Sequence, residues 1–243
     1  MSDENMENVD VALEELFSKS KSVEDLMVTL PSKGKGYKTT KQNITLRPMT
    51  YDDEKFLAQN NTDNLVDLML ARCVDNIDID ELYLEDKLFL YYKLRECSFG
   101  SQAKVTTDCT FCGTVNTLEI DLSMLNVDYA DDDFCDPQEF TLPVLQQPIL
   151  LKKIRSYNFE YTNDPDILLN NLWRFIEKLG KYEDSVIIAK AIKKLSSADV
   201  RFILTHIKTN SFGLDTRAKY LCSNCNKENI AQVGLSFDFF MMS

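Results

Sequence analysis

Two CxxC pairs, Cys109-Thr110-Phe111-Cys112 and Cys222-Ser223-Asn224-Cys225, occupy matching places in two copies of one sequence unit. Ser98-Phe99-Gly100 precedes the first pair and Ser211-Phe212-Gly213 the second, at the same distance from the cysteines in each copy. The register continues past the cysteines without a gap. Asn116 matches Asn229, Leu122 matches Leu235 and Ser123 matches Ser236. Two half-sites on duplicated segments constrain the fold strongly, because four thiolates close round one metal only if the copies meet in space. The repeat is far longer than a solenoid unit, so a pseudo-twofold pair is expected.

The repeat extends backwards with looser spacing. Leu30-Pro31 opens the first copy and Leu142-Pro143 the second. Each leads into a β-like run, Ile44-Thr45-Leu46-Arg47-Pro48-Met49-Thr50-Tyr51 in the first and Ile149-Leu150-Leu151-Lys152-Lys153-Ile154-Arg155-Ser156-Tyr157 in the second. Thr50-Tyr51 then matches Ser156-Tyr157 at a reduced offset, so the second copy carries the shorter hairpin. The expected fold is α+β: two related half-domains of short antiparallel hairpins plus helices, joined at a shared four-cysteine zinc knuckle. The expected organisation is an acidic tail with a short helix over residues 1–25, a first copy over 26–126, an acidic linker over 127–140 and a second copy over 141–243. The two copies are expected to form one compact domain.

Local patterning places the elements. Val9, Leu13, Leu16 and Phe17 line one face of a short helix over residues 9–18. Residues 30–51 read as a β-hairpin whose turn lies in the Lys- and Gly-rich stretch 32–41. A helix over 51–59 has Thr50 as its N-cap and Asp52, Asp53 and Glu54 in its first turn, where acids suit the positive end of the dipole. Further helices are expected over 63–74 and 85–97. Strands over 104–108 and 115–121 put the first CxxC in a hairpin turn, with both sulfurs aimed to one side. In the second copy, strands lie within 138–157, and helices span 165–179, 184–195 and 197–209. Asp164 and Pro165 suit the start of the first of these helices. Strands over 218–220 and 229–237 flank the second CxxC.

The net charge of −12 is uneven. Residues 1–25 hold eight acids and two lysines, residues 126–140 hold six acids and no base, and the remaining body balances at 25 of each. A neutral body with acidic appendages is a poor match for nucleic acid, whose affinity comes mainly from phosphate neutralisation. The acidic runs read as a solvated tail and a solvated linker. No leader and no apolar stretch of membrane-spanning length is evident. An odd count of seven cysteines, without an export signal, points to a reducing cytosol. There, CxxC pairs bind metal more often than they form structural disulfides. Cys73 and Cys97 fall in helical, apolar patterns as ordinary buried thiols, and Cys135 is expected to be exposed.

Four thiolates in two CxxC pairs suit a closed tetrahedral zinc site, which leaves no position for a reacting water and is structural. The ligands are Cys109, Cys112, Cys222 and Cys225. A degenerate site with unmetallated thiols remains an alternative, as does a thiol redox protein, although a thioredoxin-type CxxC begins a helix. An enzyme is not expected. The one histidine, His206, sits in an apolar helical run, and no dinucleotide fingerprint, phosphate loop or nucleophile elbow is present. The Lys33-Gly34-Lys35-Gly36 turn lacks phosphate-loop spacing and reads as a hairpin tip.

An assembly protein fits best, with a cellular zinc-ribbon interaction or transcription-associated module as the competing class. Phe237, Phe239, Phe240, Met241 and Met242 crowd the C-terminus. They read either as cover for the core or as a partner-binding patch, since aromatics and Met are enriched at interface cores. Leu13, Leu16 and Phe17 offer a second docking element.

Leu30-Pro31-Ser32-Lys33-Gly34-Lys35-Gly36-Tyr37, then Ile44-Thr45-Leu46-Arg47-Pro48-Met49-Thr50 and the acidic helix start Asp52-Asp53-Glu54, resembles the opening of the T4-type bacteriophage baseplate family. That family includes a baseplate hub subunit and a related hub assembly factor. The close match covers residues 28–57. The resemblance implies a phage protein made in the host cytoplasm that binds other hub and tail proteins, without cofactor turnover, and that is also a candidate virion component.

Overall fold

The computed structural model describes residues 12, 16, 25–38, 42–60, 65–75, 77–155, 169–209 and 211–234. Strand β1 (Leu26–Thr29) pairs antiparallel with β2 (Asn43–Leu46), setting Val28 opposite Ile44. Val28, Ile44 and Leu46 turn inward while Met27 stays exposed, the period-2 alternation of a half-buried hairpin. The hairpin begins earlier than residue 30. Leu30 instead opens a run of turns through Gly36, with Lys33, Gly34 and Gly36 all at positive φ. Gly36 has no alternative, because a Cβ there would collide with the Tyr83 hydroxyl.

Helix α1 (Tyr51–Gln59) starts at Thr50, as expected. Asp53 accepts from both the Thr50 amide and the Thr50 hydroxyl at 2.9 Å, closing the first turn. Asp53 is fully buried and also receives Arg47 at 2.6 Å and Arg72 at 2.7 Å. One carboxylate thus ties the strand end, α1 and the last turn of α2 (Leu65–Cys73) together. The long helix α3 (Leu84–Phe99) is buried along much of its length. Arg95, 1% exposed, donates to the carbonyls of Gly100 and Gln102, which turns the chain out of α3 into β3.

Strands β3 (Gln102–Asp108) and β4 (Val115–Asp121) form the first CxxC hairpin. The chain then runs through β5 (Val127–Asp128) to β6 (Gln138–Thr141) and β7 (Pro148–Leu151). Residues 165–179 do not form the single helix expected. Among the described part, residues 169–171 are helical, Leu172–Phe175 form a 3-10 turn, and Ile176–Leu179 are strand β8, paired with β7. Short apolar runs fit either period, and the open edge of β7 decides for strand. Helix α4 (Ser185–Ile192) is capped by Asp184, which accepts from the Val186 and Ile187 amides. In α5 (Ser197–Thr209), the Ser196 hydroxyl accepts from the Asp199 amide at 3.1 Å. Strand β9 (Gly213–Leu214) follows, then β10 (Arg217–Leu221) and β11 (Glu228–Gln232), the second CxxC hairpin. Helices with small antiparallel sheets make the fold α+β.

The packing cuts across the two sequence copies. One core gathers β1, β2 and α1–α3 with Ile120 and Leu122, and it also takes Val233, Leu214 and Ala218 from beyond residue 210. A second core lies under β6–β8, α4 and α5. The chain leaves the first body at β5 and returns at β9, and these two strands pair directly, Val127 opposite Leu214. The acidic stretch 126–140 is therefore more than a solvated linker. Ala130 is buried, and Phe134 packs edge-on against Tyr83 and Phe212. Lys35 donates to the carbonyls of Asp131 and Asp132 at 2.7 Å, and Lys33 pairs with the Asp132 carboxylate at 3.3 Å, so the basic turn holds the acidic run against the body. Cys73 is buried, Cys97 half-buried and Cys135 exposed. No helix among the described residues is long and apolar enough to cross a membrane.

Candidate metal centre

The two knuckle turns are built alike. In the first, the Cys109 amide donates to Thr114 O and the Gly113 amide to Cys109 O, both at 2.9 Å. In the second, the Cys222 amide donates to Lys227 O at 3.0 Å and the Asn226 amide to Cys222 O at 2.9 Å. Each turn needs a left-handed residue after its second cysteine. Gly113 supplies it at φ 69° and Asn226 at φ 55°, the two residue types that tolerate this region best. Strand pairing on either side then fixes where the sulfurs point.

The hairpins meet at their tips, and all four sulfurs of Cys109, Cys112, Cys222 and Cys225 lie within 4.8 Å of one another. Cys109 Sγ lies 3.6 Å from Cys225 Sγ, and Cys112 Sγ lies 3.7 Å from Cys222 Sγ. A tetrahedral zinc with bonds of about 2.3 Å requires sulfurs about 3.8 Å apart. A disulfide requires about 2.05 Å. The spacing fits a shared metal and leaves the cysteines as separate thiols.

The centre is polarised by its surroundings. The Thr114 hydroxyl and amide beside Cys112 hold that thiol down at about 6. The Cys222 thiol is lowered by the backbone amides of Cys225 and Asn224. The Lys227 amide works to lower Cys225, but burial and the neighbouring thiols push it up to about 11. A divalent metal held by these four cysteines would take them as thiolates.

Two asparagines beyond the ligand set complete the centre. Asn116 Oδ1 accepts from the Ser223 amide at 2.9 Å and hydroxyl at 3.0 Å. Asn229 Oδ1 accepts from the Thr110 amide at 3.1 Å and hydroxyl at 2.8 Å. Asn116 Nδ2 approaches Cys222 Sγ at 3.7 Å, and Asn229 Nδ2 approaches Cys109 Sγ at 3.4 Å. Each of these contacts runs to the opposite hairpin, and each has its counterpart in the other copy. Asn116 and Asn229 stood among the sequence identities, yet nothing in a single sequence marks them as partners of the other copy's cysteines. Lys227 also caps the exposed ring of Phe111 across the junction at 4.6 Å.

The remaining candidates fall elsewhere. Leu16 is helical and exposed. Leu13, Phe17, Phe237, Phe239, Phe240, Met241 and Met242 lie outside the described residues. His206 lies tilted over Phe140 and edge-on to Phe202, with ring centroids 4.0 and 4.3 Å away, as a packed helix residue.

The profile of the family described as T4 bacteriophage base plate protein matches residues 24–172. The chain belongs to that family. The match covers the β1–β2 turn that carries the resemblance, α1 to α3 and the first CxxC pair. It ends before Cys222 and Cys225, so the second half of the thiol cluster rests on the geometry of this chain alone. No curated protein and no solved structure matched.

Proposed function

We propose that this baseplate protein acts, without catalysing a reaction, in assembly of the baseplate hub. Its two related half-domains are clasped by one structural zinc ion on Cys109, Cys112, Cys222 and Cys225. Convergence of four sulfurs from two segments far apart along the chain carries the metal reading. A zinc there would serve as a cross-link, because four thiolates leave it no open position. The family match supports the tail setting, and the opening motif from Leu30 to Glu54 supports the hub.

Partners in this reading are other hub and tail proteins, met in the host cytoplasm and retained in, or released from, the finished tail. Phe237, Phe239, Phe240, Met241 and Met242 are the leading contact, with Leu13, Leu16 and Phe17 on the acidic N-terminal segment as the second. The deciding experiment is capture of the tagged full-length chain from infected cells, with identification of the co-purifying tail proteins. Recovery of hub proteins supports the assignment. Recovery of other baseplate proteins alone moves the chain to another part of the baseplate.

A further inference from the structure

We propose that Asn116 and Asn229 are the positioning pair of the metal centre, each setting the opposite hairpin's knuckle and donating an amide hydrogen to that knuckle's buried sulfur. The proposal rests on the zinc reading and adds what makes the two half-sites one site.

Both asparagines are nearly fully buried, at 5% and 4% exposure. A buried amide persists where each polar atom has a partner, and these do. Asn116 Nδ2 also donates to Thr114 O at 2.8 Å, and Asn229 Nδ2 to Lys227 O at 3.0 Å. These contacts fix which way each amide faces. The oxygen meets two donors across the junction, and the nitrogen meets the carbonyl of its own turn. Each asparagine therefore reads the shape of its own knuckle and locks the other one to it.

The sulfur contacts add charge to position. A divalent ion with four thiolates leaves the centre with a net charge of about −2, which N–H donors must offset where water is excluded. Cys109 and Cys222 are the two buried sulfurs, at 3% and 1% exposure. They are the two that the asparagines approach. Cys112 is exposed and Cys225 half-buried, so water reaches them. The Asn116 and Asn229 amides thus serve the two sulfurs that solvent reaches least, while Asn224 Nδ2 approaches the exposed Cys112 Sγ at 3.8 Å.

The test uses the full-length chain loaded with zinc or cobalt. Zinc affinity is measured by competition with a chromophoric chelator, and the cobalt form reports the thiolate-to-metal charge-transfer band. Asn116→Asp and Asn229→Asp keep the accepting oxygen, remove the N–H donor and add a negative charge beside the thiolates. Each should weaken zinc binding about tenfold to a hundredfold and shift the band. The two effects should be similar because the bonds are reciprocal. Asn116→Ser removes the amide without adding charge, should weaken binding less than Asn116→Asp, and guards against a variant that fails to fold. Folded Asp variants with unchanged affinity and an unchanged band would overturn the positioning role while leaving the zinc. A wild-type chain that takes up no metal would overturn both.

Discussion

Tyr92 and Val233 lie 141 residues apart and share a buried hydrogen bond, the Tyr92 hydroxyl donating to the Val233 carbonyl at 2.5 Å. Tyr92 is on α3, and Val233 follows β11 with 1% exposure in the main core. The second CxxC hairpin is therefore anchored to the first copy at its base as well as at the four-cysteine cluster. Tyr92→Phe removes one donor and strands a buried carbonyl. It should lower stability by about 1–3 kcal/mol in denaturant melts, with zinc stoichiometry unchanged. A loss of zinc in this variant would show that the base and the tip of the hairpin are one cooperative unit.

The chain should carry one zinc per molecule, with sulfur-to-metal distances of about 2.3 Å by X-ray absorption. The four ligands meet only in the native chain, so metal binding is coupled to folding. Cys222→Ser should lower both the melting temperature and solubility, and a chelator should do the same to the wild type. Melting curves indifferent to both changes would remove the structural metal and return the site to unmetallated or redox-active thiols.

Asp53 and Asp86 should pull the pH dependence of stability in opposite directions. Burial works against the Asp53 carboxylate, but Arg47, the Thr50 amide and Arg72 prevail and hold it well below the usual range. Its folded pKa lies below its unfolded value of about 3.9. Its contribution is present above that pH and is lost as pH falls through the folded pKa. Burial pushes Asp86 up to about 6, despite hydrogen bonds from Ser32 and Tyr37. Here the folded state holds the proton longer. This contribution is complete below pH about 3.9 and is lost as pH rises to about 6. Asp86→Asn should flatten stability between those limits, a change of at most about 3 kcal/mol. A melt series across that range in wild type and variant checks both sign and window.

Removal of the Asp53 carboxylate should act differently from any change at the metal. Asp53→Asn keeps a cap for α1 but leaves Arg47 and Arg72 without their charge partner. The expected loss is about 2–3 kcal/mol, the scale of hydrogen bonds to charged groups, discounted because both arginines are over a third exposed. Thermal melts measure it, and zinc content should stay at one per chain.

Deleting residues 239–243 should abolish capture of tail proteins from infected cells while zinc content and the melting curve stay as in wild type. Burial of two or three such side chains is worth several kcal/mol at about 1.5–3 kcal/mol each, before ordering costs. An unfolded deletion variant would assign the segment to the core and move the contact to Leu13, Leu16 and Phe17.

The sequence by itself determined the local parts. The Thr50 cap of α1 follows from residue chemistry within a few positions, and the helix starts where that residue puts it. The CxxC turns were legible for the same reason, since a knuckle is set by neighbours within one hairpin. The constant offset between matching residues even paired the two CxxC turns along the sequence. Tertiary structure decided the rest. Residues 176–179 became β8 because the edge of β7 was open to them, which no periodicity encodes. The acidic stretch 126–140 became packed structure because Lys33, Lys35, Tyr83 and Phe212 arrive from distant segments to meet it. Asn116 and Asn229 became reciprocal partners only when the hairpins met tip to tip, since the oxygen of each amide is satisfied by groups on the other copy. A hydrogen bond of that span leaves no pattern along the chain, because its two ends are neighbours only in the folded molecule.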